Sequence, residues 1–234
     1  MSSEWVTIDA SDGSGQFKAY VSRPASGHGP AVIAIQEIFG VNEGMREICQ
    51  KLSDAGYVAI CPDLFWRQEP GIELTDKTEE EWQKAFALYN GFDVDKSIED
   101  IQATIYFARH SDFVDEKVGA VGYCLGGLLA YLTATRTDAD ACVGYYGVGI
   151  QDHLAEIENL QEPLMLHIAG GDEFVPPEAQ AAIHKALDDH PLVTLHDYPG
   201  LNHAFARPDG IHFDGTAADL ANRRSFDFFN MHLS

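Results

Sequence analysis

Six short apolar runs, AVIAI, YVAIC, VGAVG, ACVGYYG, PLMLHIAG and VTLHDYPG, alternate along the chain with helix-length stretches. Those stretches are NEGMREICQKLSDAG, TEEEWQKAFALYNGF, DVDKSIEDIQATIYFARH, LGGLLAYLTATRT, PPEAQAAIHKALDDH and TAADLANRRSFDFFNMHL. Strands that are apolar on both faces must be covered on both faces, so this alternation predicts a mostly parallel central sheet with helices on either side. Upstream, EWVTIDA and GQFKAYVSRP flank SDGSG and predict an N-terminal hairpin. No repeat, low-complexity tract or long linker interrupts the pattern. The expected fold is therefore a single α/β domain spanning residues 1–234, long enough to bury a sizeable core.

Within this frame VGYCLGG, residues 121–127, sits where β-formers give way to helix-formers. Val118 to Val121 reads as a buried strand and Leu125 to Thr135 as a helix, which puts Cys124 on the turn at a carboxyl edge of the sheet, where such folds bind ligands. Gly122, Tyr123, Cys124, Leu125, Gly126 is a G-x-C-x-G form of the nucleophile elbow. The helix start beneath it favours thiolate, and the Leu125 amide is placed to meet an oxyanion. Alone the match is weak, since glycine and cysteine at a buried turn are often only packing. The uncharged stretch from Val118 to Thr135 has the length of a membrane span. Four glycines and its change from strand to helix preference mark it as core instead.

Candidate partners follow in order. Asp172 comes just after LMLHIAG, and His203 lies on a loop after VTLHDYPG. Cys, Asp, His, each just past a strand, is the chain order of the α/β-hydrolase triad, with Cys124 attacking, His203 handling its proton and Asp172 orienting the imidazole. Asp172 has a competing reading as a helix N-cap, weakened because Pro176 and Pro177 start the next helix later. Glu173 is a possible substitute for it. His167 and His196 lie inside apolar strands and read as core or surface-face residues.

A formal charge of −22, from 37 acidic and 15 basic residues, repels phosphate backbones and anionic membranes, so no nucleic-acid or membrane partner is expected. Any anionic substrate needs local positive charge. The four cysteines form no CxxC pair, and no histidine and cysteine cluster has ligand spacing, so neither a disulfide framework, a metal nor another cofactor is expected. The start, MSSEWVTIDA, has no signal-peptide pattern. A cytoplasmic monomer with reduced thiols is the expectation.

QEIFGVN at 36–42, GYVAICPDLF at 56–65, VGYCLGG, VGYYGVG at 143–149, GGDEFVP at 170–176 and NHAFAR at 202–207 together resemble the dienelactone hydrolases, or carboxymethylenebutenolidases. The resemblance runs from the hairpin to the last helix. It implies a single-domain α/β-hydrolase without cofactor, using a cysteine to hydrolyse an unsaturated lactone that carries a carboxylate. It also implies that Glu37 controls proton transfer at the thiol, that the amides of Ile38 and Leu125 form the oxyanion hole, and that Arg207 binds the substrate carboxylate. Phe39, Tyr145 and Phe174, within the shared motifs, are then expected substrate contacts.

Two positions depart from the family pattern. By register from KAFALYNGFD, Trp82 stands where a second carboxylate-binding arginine is usual, and Ala204 follows His203 where a serine is usual. The substrate is therefore less constrained than the chemistry. A general carboxylesterase or thioesterase on the same triad is an alternative, and a redox thiol protein a more distant one, although the turn places no resolving cysteine beside Cys124.

Overall fold

The structure, a computed structural model, describes residues 2–234. Eight strands run Ser2–Asp9 (β1), Gln16–Arg23 (β2), Gly29–Ile35 (β3), Val58–Pro62 (β4), Val114–Tyr123 (β5), Ala141–Tyr145 (β6), Leu164–Ala169 (β7) and Val193–Tyr198 (β8). Six helices run Glu43–Asp54 (α1), Glu79–Asn90 (α2), Val94–Arg109 (α3), Leu125–Arg136 (α4), Pro177–Leu187 (α5) and Gly215–His232 (α6). The strands form one sheet in the order β1-β2-β4-β3-β5-β6-β7-β8. β1, β2 and β4 pair antiparallel, whereas β3 with β4, β6 with β7, and β7 with β8 pair parallel. This is the mostly parallel α/β sheet with a leading hairpin that the alternating pattern predicts. The chain divides into two compact units, Met1–Gly119 and Ala120–Ser234.

In the first unit, β3 and β4 are buried almost throughout, as their uninterrupted apolar sequences require. Each helix has a side-chain cap where the sequence offers one. Asn42, Thr78 and Asp93 accept from the backbone N–H of Met45, Glu81 and Lys96. At α2 the cap is reciprocal, because the Glu81 carboxylate accepts from the hydroxyls of Thr78 and Thr75.

The hairpin turn is fixed by charge. Arg67 donates to the fully buried carboxylate of Asp100 on α3 at 2.7 and 2.9 Å, and its other branch reaches Asp12 and Ser14 in the turn. The Trp66 indole N–H donates to the same Asp100 at 2.8 Å. Residues distant in sequence are thereby tied through one buried acid.

In the second unit, α4 is buried from Leu125 to Thr135, which accounts for a helix with no charge before its last turn. Two 3₁₀ turns, Ile150–Asp152 and Leu154–Asn159, follow β6 where the sequence shows no periodic pattern. Asp214 caps α6 through the N–H of Ala217. The helix sends Ser225 and Asn222 to the hydroxyl of Tyr145 at 2.6 and 3.2 Å.

Candidate active site

Cys124 follows β5 directly and precedes the first residue of α4. Its φ of 56° and ψ of −116° lie in a region that side chains rarely adopt. Such a conformation costs on the order of 1–3 kcal/mol and persists only where its surroundings impose it. They do so here in two ways. The Cys124 N–H donates to the Tyr145 carbonyl at 3.1 Å, while its own carbonyl accepts from Gly127 and Leu128. The flanking glycines leave no alternative, since a Cβ at Gly122 would lie 1.8 Å from the Gly126 carbonyl oxygen, and one at Gly127 would lie 2.5 Å from that of Tyr145. The turn therefore holds the thiol over the amino end of α4, whose first N–H groups have no partner within the helix.

Asp172 lies three residues beyond β7 and His203 five beyond β8. They meet at 2.7 Å through His203 Nδ1 and Asp172 Oδ2, and both are buried. The second oxygen of Asp172 accepts from the Phe174 N–H at 2.9 Å, so the carboxylate is oriented from both sides. Pro176, not Asp172, caps α5, and Glu173 points to solvent. Both competing readings of Asp172 are thereby set aside.

The imidazole is boxed by two ring edges, Tyr146 at 5.1 Å and Phe174 at 4.9 Å between centroids. Its Nε2 is buried without a hydrogen-bond partner of ordinary geometry. Burial acts to lower the His203 pKa. The neighbouring Cys124 sulfur and the bond to Asp172 more than reverse this and lift it to about 10. The sulfur on one side and the carboxylate on the other thus favour the imidazolium form.

The sign of this shift sets an expectation. A histidine whose folded pKa stands above its usual 6.5 contributes stability that is complete below about 6.5 and is lost as pH rises through about 10. The difference in unfolding free energy between the wild type and His203→Gln should therefore be largest near pH 6 and shrink steadily toward pH 10. Denaturant titrations at several pH values would measure it, and a difference that grew with pH would contradict the assignment.

Other expected site residues are placed as follows. Arg207 is half-buried on the His203 loop, and its aliphatic stem packs on Gly210, where a Cβ would come within 3.0–3.2 Å. Phe174 is 37% exposed, which leaves its far edge open to a ligand. Tyr145 corrects an expectation. Its side chain is fully buried with the hydroxyl on Ser225 and Asn222, so it serves the site through its carbonyl and not by touching substrate.

In the first unit Glu37, Ile38 and Phe39 are buried directly after β3. Trp82 packs edge-on to Phe39 at 5.1 Å, stacks on Phe86 at 5.4 Å and donates its indole N–H to the Asp76 carbonyl. It is anchored within an aromatic cluster.

Tyr146, with φ of 38°, and Ala204, with φ of 62°, share the positive φ of Cys124. A tyrosine or alanine carries no sequence mark of a positive φ. His167 lies beneath, taken up at one nitrogen by Tyr198 (2.8 Å) and at the other by Ser225 (2.9 Å), and burial pushes its pKa well down. It is a core histidine.

A model of the dienelactone hydrolase family matches residues 17–233. The chain belongs to the dienelactone hydrolase family. Among its relatives in that family is a carboxymethylenebutenolidase of Pseudomonas putida, 41% identical over 228 residues, which cover 97% of this chain and 96% of that protein. One from Pseudomonas sp. strain P51 is 39% identical over 227 residues, 97% of this chain and 94% of the other. Among solved structures, a dienelactone hydrolase from Anabaena variabilis superposes with a TM-score of 0.72 over the full length of both chains at 18% identity, a likeness of fold.

Proposed function

We propose that this dienelactone hydrolase family member hydrolyses carboxylic esters and opens unsaturated lactones, with Cys124, His203 and Asp172 as its triad. The observation that carries the reading is the 2.7 Å bond that aligns His203 with Asp172, in the same unit as a cysteine held on a strained elbow turn. The relatives' name, carboxymethylenebutenolidase, supports a lactone as the substrate class.

In the reaction, Sγ of Cys124 bonds to the lactone carbonyl carbon, and the carbonyl oxygen takes the developing charge beside the Leu125 N–H. The ring C–O bond then breaks, its electrons leaving on the enol oxygen as a stabilised enolate. A thioester remains. The enolate takes the proton of His203, water then adds to the thioester while the now neutral His203 takes a proton from it, and the C–S bond breaks to return the thiolate beside the imidazolium and release the acid. A cysteine suits this leaving group, since an enolate needs little protonation to depart.

The family resemblance extends the roles further. Glu37 would govern the proton at the thiol, Ile38 would supply a second amide and Arg207 would bind a substrate carboxylate. The burial of Glu37 and Ile38 directly after β3 supports the first two assignments, and the position of Arg207 on the His203 loop supports the third. We also read the chain as one domain acting as a cytoplasmic monomer. The family match runs unbroken from 17 to 233, and the boundary between the compact units falls inside β5. All four cysteines are free, and among the described residues no helix is long and apolar enough to cross a membrane.

Trp82 favours a shifted preference over the standard substrate. An arginine lost from carboxylate binding weakens it by roughly 1.5–3 kcal/mol, about ten- to a hundredfold, while an indole adds apolar area for neutral or bulkier esters. Turnover across lactones and aryl esters with and without a carboxylate tests both readings. Lactone kcat/KM above that of simple aryl esters by about tenfold or more supports the lactonase, and the reverse order supports a general esterase. In Trp82→Arg, the ratio for carboxylate-bearing over neutral substrates should rise about tenfold. An unchanged ratio would remove Trp82 from specificity.

A further inference from the structure

Within the second unit, α6 and the strands β7 and β8 enclose a surface groove of about 360 Å³. Its apolar lining includes Met165, Leu192 and Phe228, and its polar lining includes Thr194, His196 and Arg224. The size falls in the range of small-molecule sites. None of these residues belongs to the triad or to the loops that carry it.

Arg224 is the informative group. Arg23, Arg46, Arg67 and Arg136 each meet a carboxylate, as a chain with 37 acids and 15 bases makes easy. Arg224 is half-buried, yet among the described residues it has no carboxylate partner, not even Asp227 one turn away in the same groove. One Nη donates to the Tyr198 hydroxyl at 3.1 Å and the guanidinium lies 5.6 Å from that ring, which fixes the fork without giving it a carboxylate. His196 lies beside it, stacked on His167 at 5.7 Å. Burial and the charge of Arg224 both push the His196 pKa down, so it is a neutral hydrogen-bonding group. At the rim, Met231 is 75% exposed and offers a flexible apolar surface.

We propose that this groove is a second ligand site, binding a small monocarboxylate with an apolar body, its carboxylate on Arg224 and His196 and its body on Met165, Leu192 and Phe228. A planar fork with free N–H groups matches a carboxylate. One guanidinium balances one negative charge. Asp227 and the net charge of −22 disfavour a dianion such as phosphate. The apolar floor disfavours an anion without a body.

The methionines make the test direct, because Met165 and Met231 both line the groove, whereas Met45, buried in α1, does not. Phenylacetate titrated into protein carrying ¹³C-methyl methionine should shift the Met165 and Met231 signals saturably and leave that of Met45 in place. Phenylacetamide, lacking the charge, should bind about tenfold more weakly or worse, as should phenylacetate to Arg224→Gln. Thr194→Trp fills the groove from an exposed position and should abolish the shifts while ester turnover persists, so it carries the test if Arg224→Gln fails to fold. Absence of a saturable shift at Met165 and Met231 would overturn the site. So would equal affinity for acid and amide, or an affinity untouched by either variant.

Discussion

Cys124→Ala should lower turnover of esters and lactones by about four orders of magnitude or more, and leave the melting temperature close to that of the wild type. The nucleophile of a triad acts as a unit with its base, so no other thiol can substitute. Cys49, Cys61 and Cys142 are buried away from any such pair, and burial pushes the thiols of Cys61 and Cys142 up, away from the reactive thiolate. Alanine keeps a Cβ on the positive-φ turn, so the strain of the elbow is unchanged and the fold is not relieved of it. A slowly turned-over ester followed by peptide mapping supplies the complementary measurement. An adduct on Cys124 supports the assignment, and an adduct on another cysteine with Cys124 untouched removes it. Asp172→Asn should cost about 10⁴ in kcat with little change in fold, because it leaves the imidazole without the acceptor that sets its tautomer.

The second large effect concerns stability and lies far from the chemistry. Arg67→Met should destabilise the protein by about 3 kcal/mol, or lower its melting temperature by about 10 °C. It strands the Asp100 carboxylate, fully buried, with only the Trp66 indole N–H to satisfy it, and frees the hairpin turn held through Asp12 and Ser14. The value sits at the low end for a broken buried pair because Arg67 is itself 20% exposed, so water can reach the gap it leaves. Asp100→Asn added to Arg67→Met removes the uncompensated charge and keeps an acceptor for Trp66. Denaturant unfolding should show the double variant to be more stable than Arg67→Met alone. A double variant no better than the single one would show that the cost comes from lost packing, not from charge.

The main elements were legible in the sequence because each carries its own period and its own stop. Pro176 and Pro177 place the start of α5, and the switch from Val118–Val121 to Leu125–Thr135 places the elbow. The order of Cys124, Asp172 and His203 was legible for the same reason, since each follows a strand whose end could be read. What could not be read was set by contacts between residues distant in sequence. Nothing local to Tyr145 says that its hydroxyl is spent on Ser225, and its place in a motif shared with the family points instead to substrate contact. Likewise, the positive φ of Tyr146 and Ala204 is imposed by the turns they close, not chosen by the residues. The groove beside Arg224 was invisible for a further reason. A guanidinium without a carboxylate partner is recognised only after every neighbour has been placed.

The contact between Gly122 and the Gly126 carbonyl has a bearing on how such motifs can be read in other chains. With 1.8 Å between that oxygen and any Cβ, the glycine is demanded by the crossing of two backbone segments whether or not a nucleophile sits between them. A descendant that traded Cys124 for an inert residue would still need Gly122 to fold. The glycines of G-x-C-x-G thus record ancestry of the turn, whereas evidence of surviving chemistry rests on the one position between them and on the histidine that answers it.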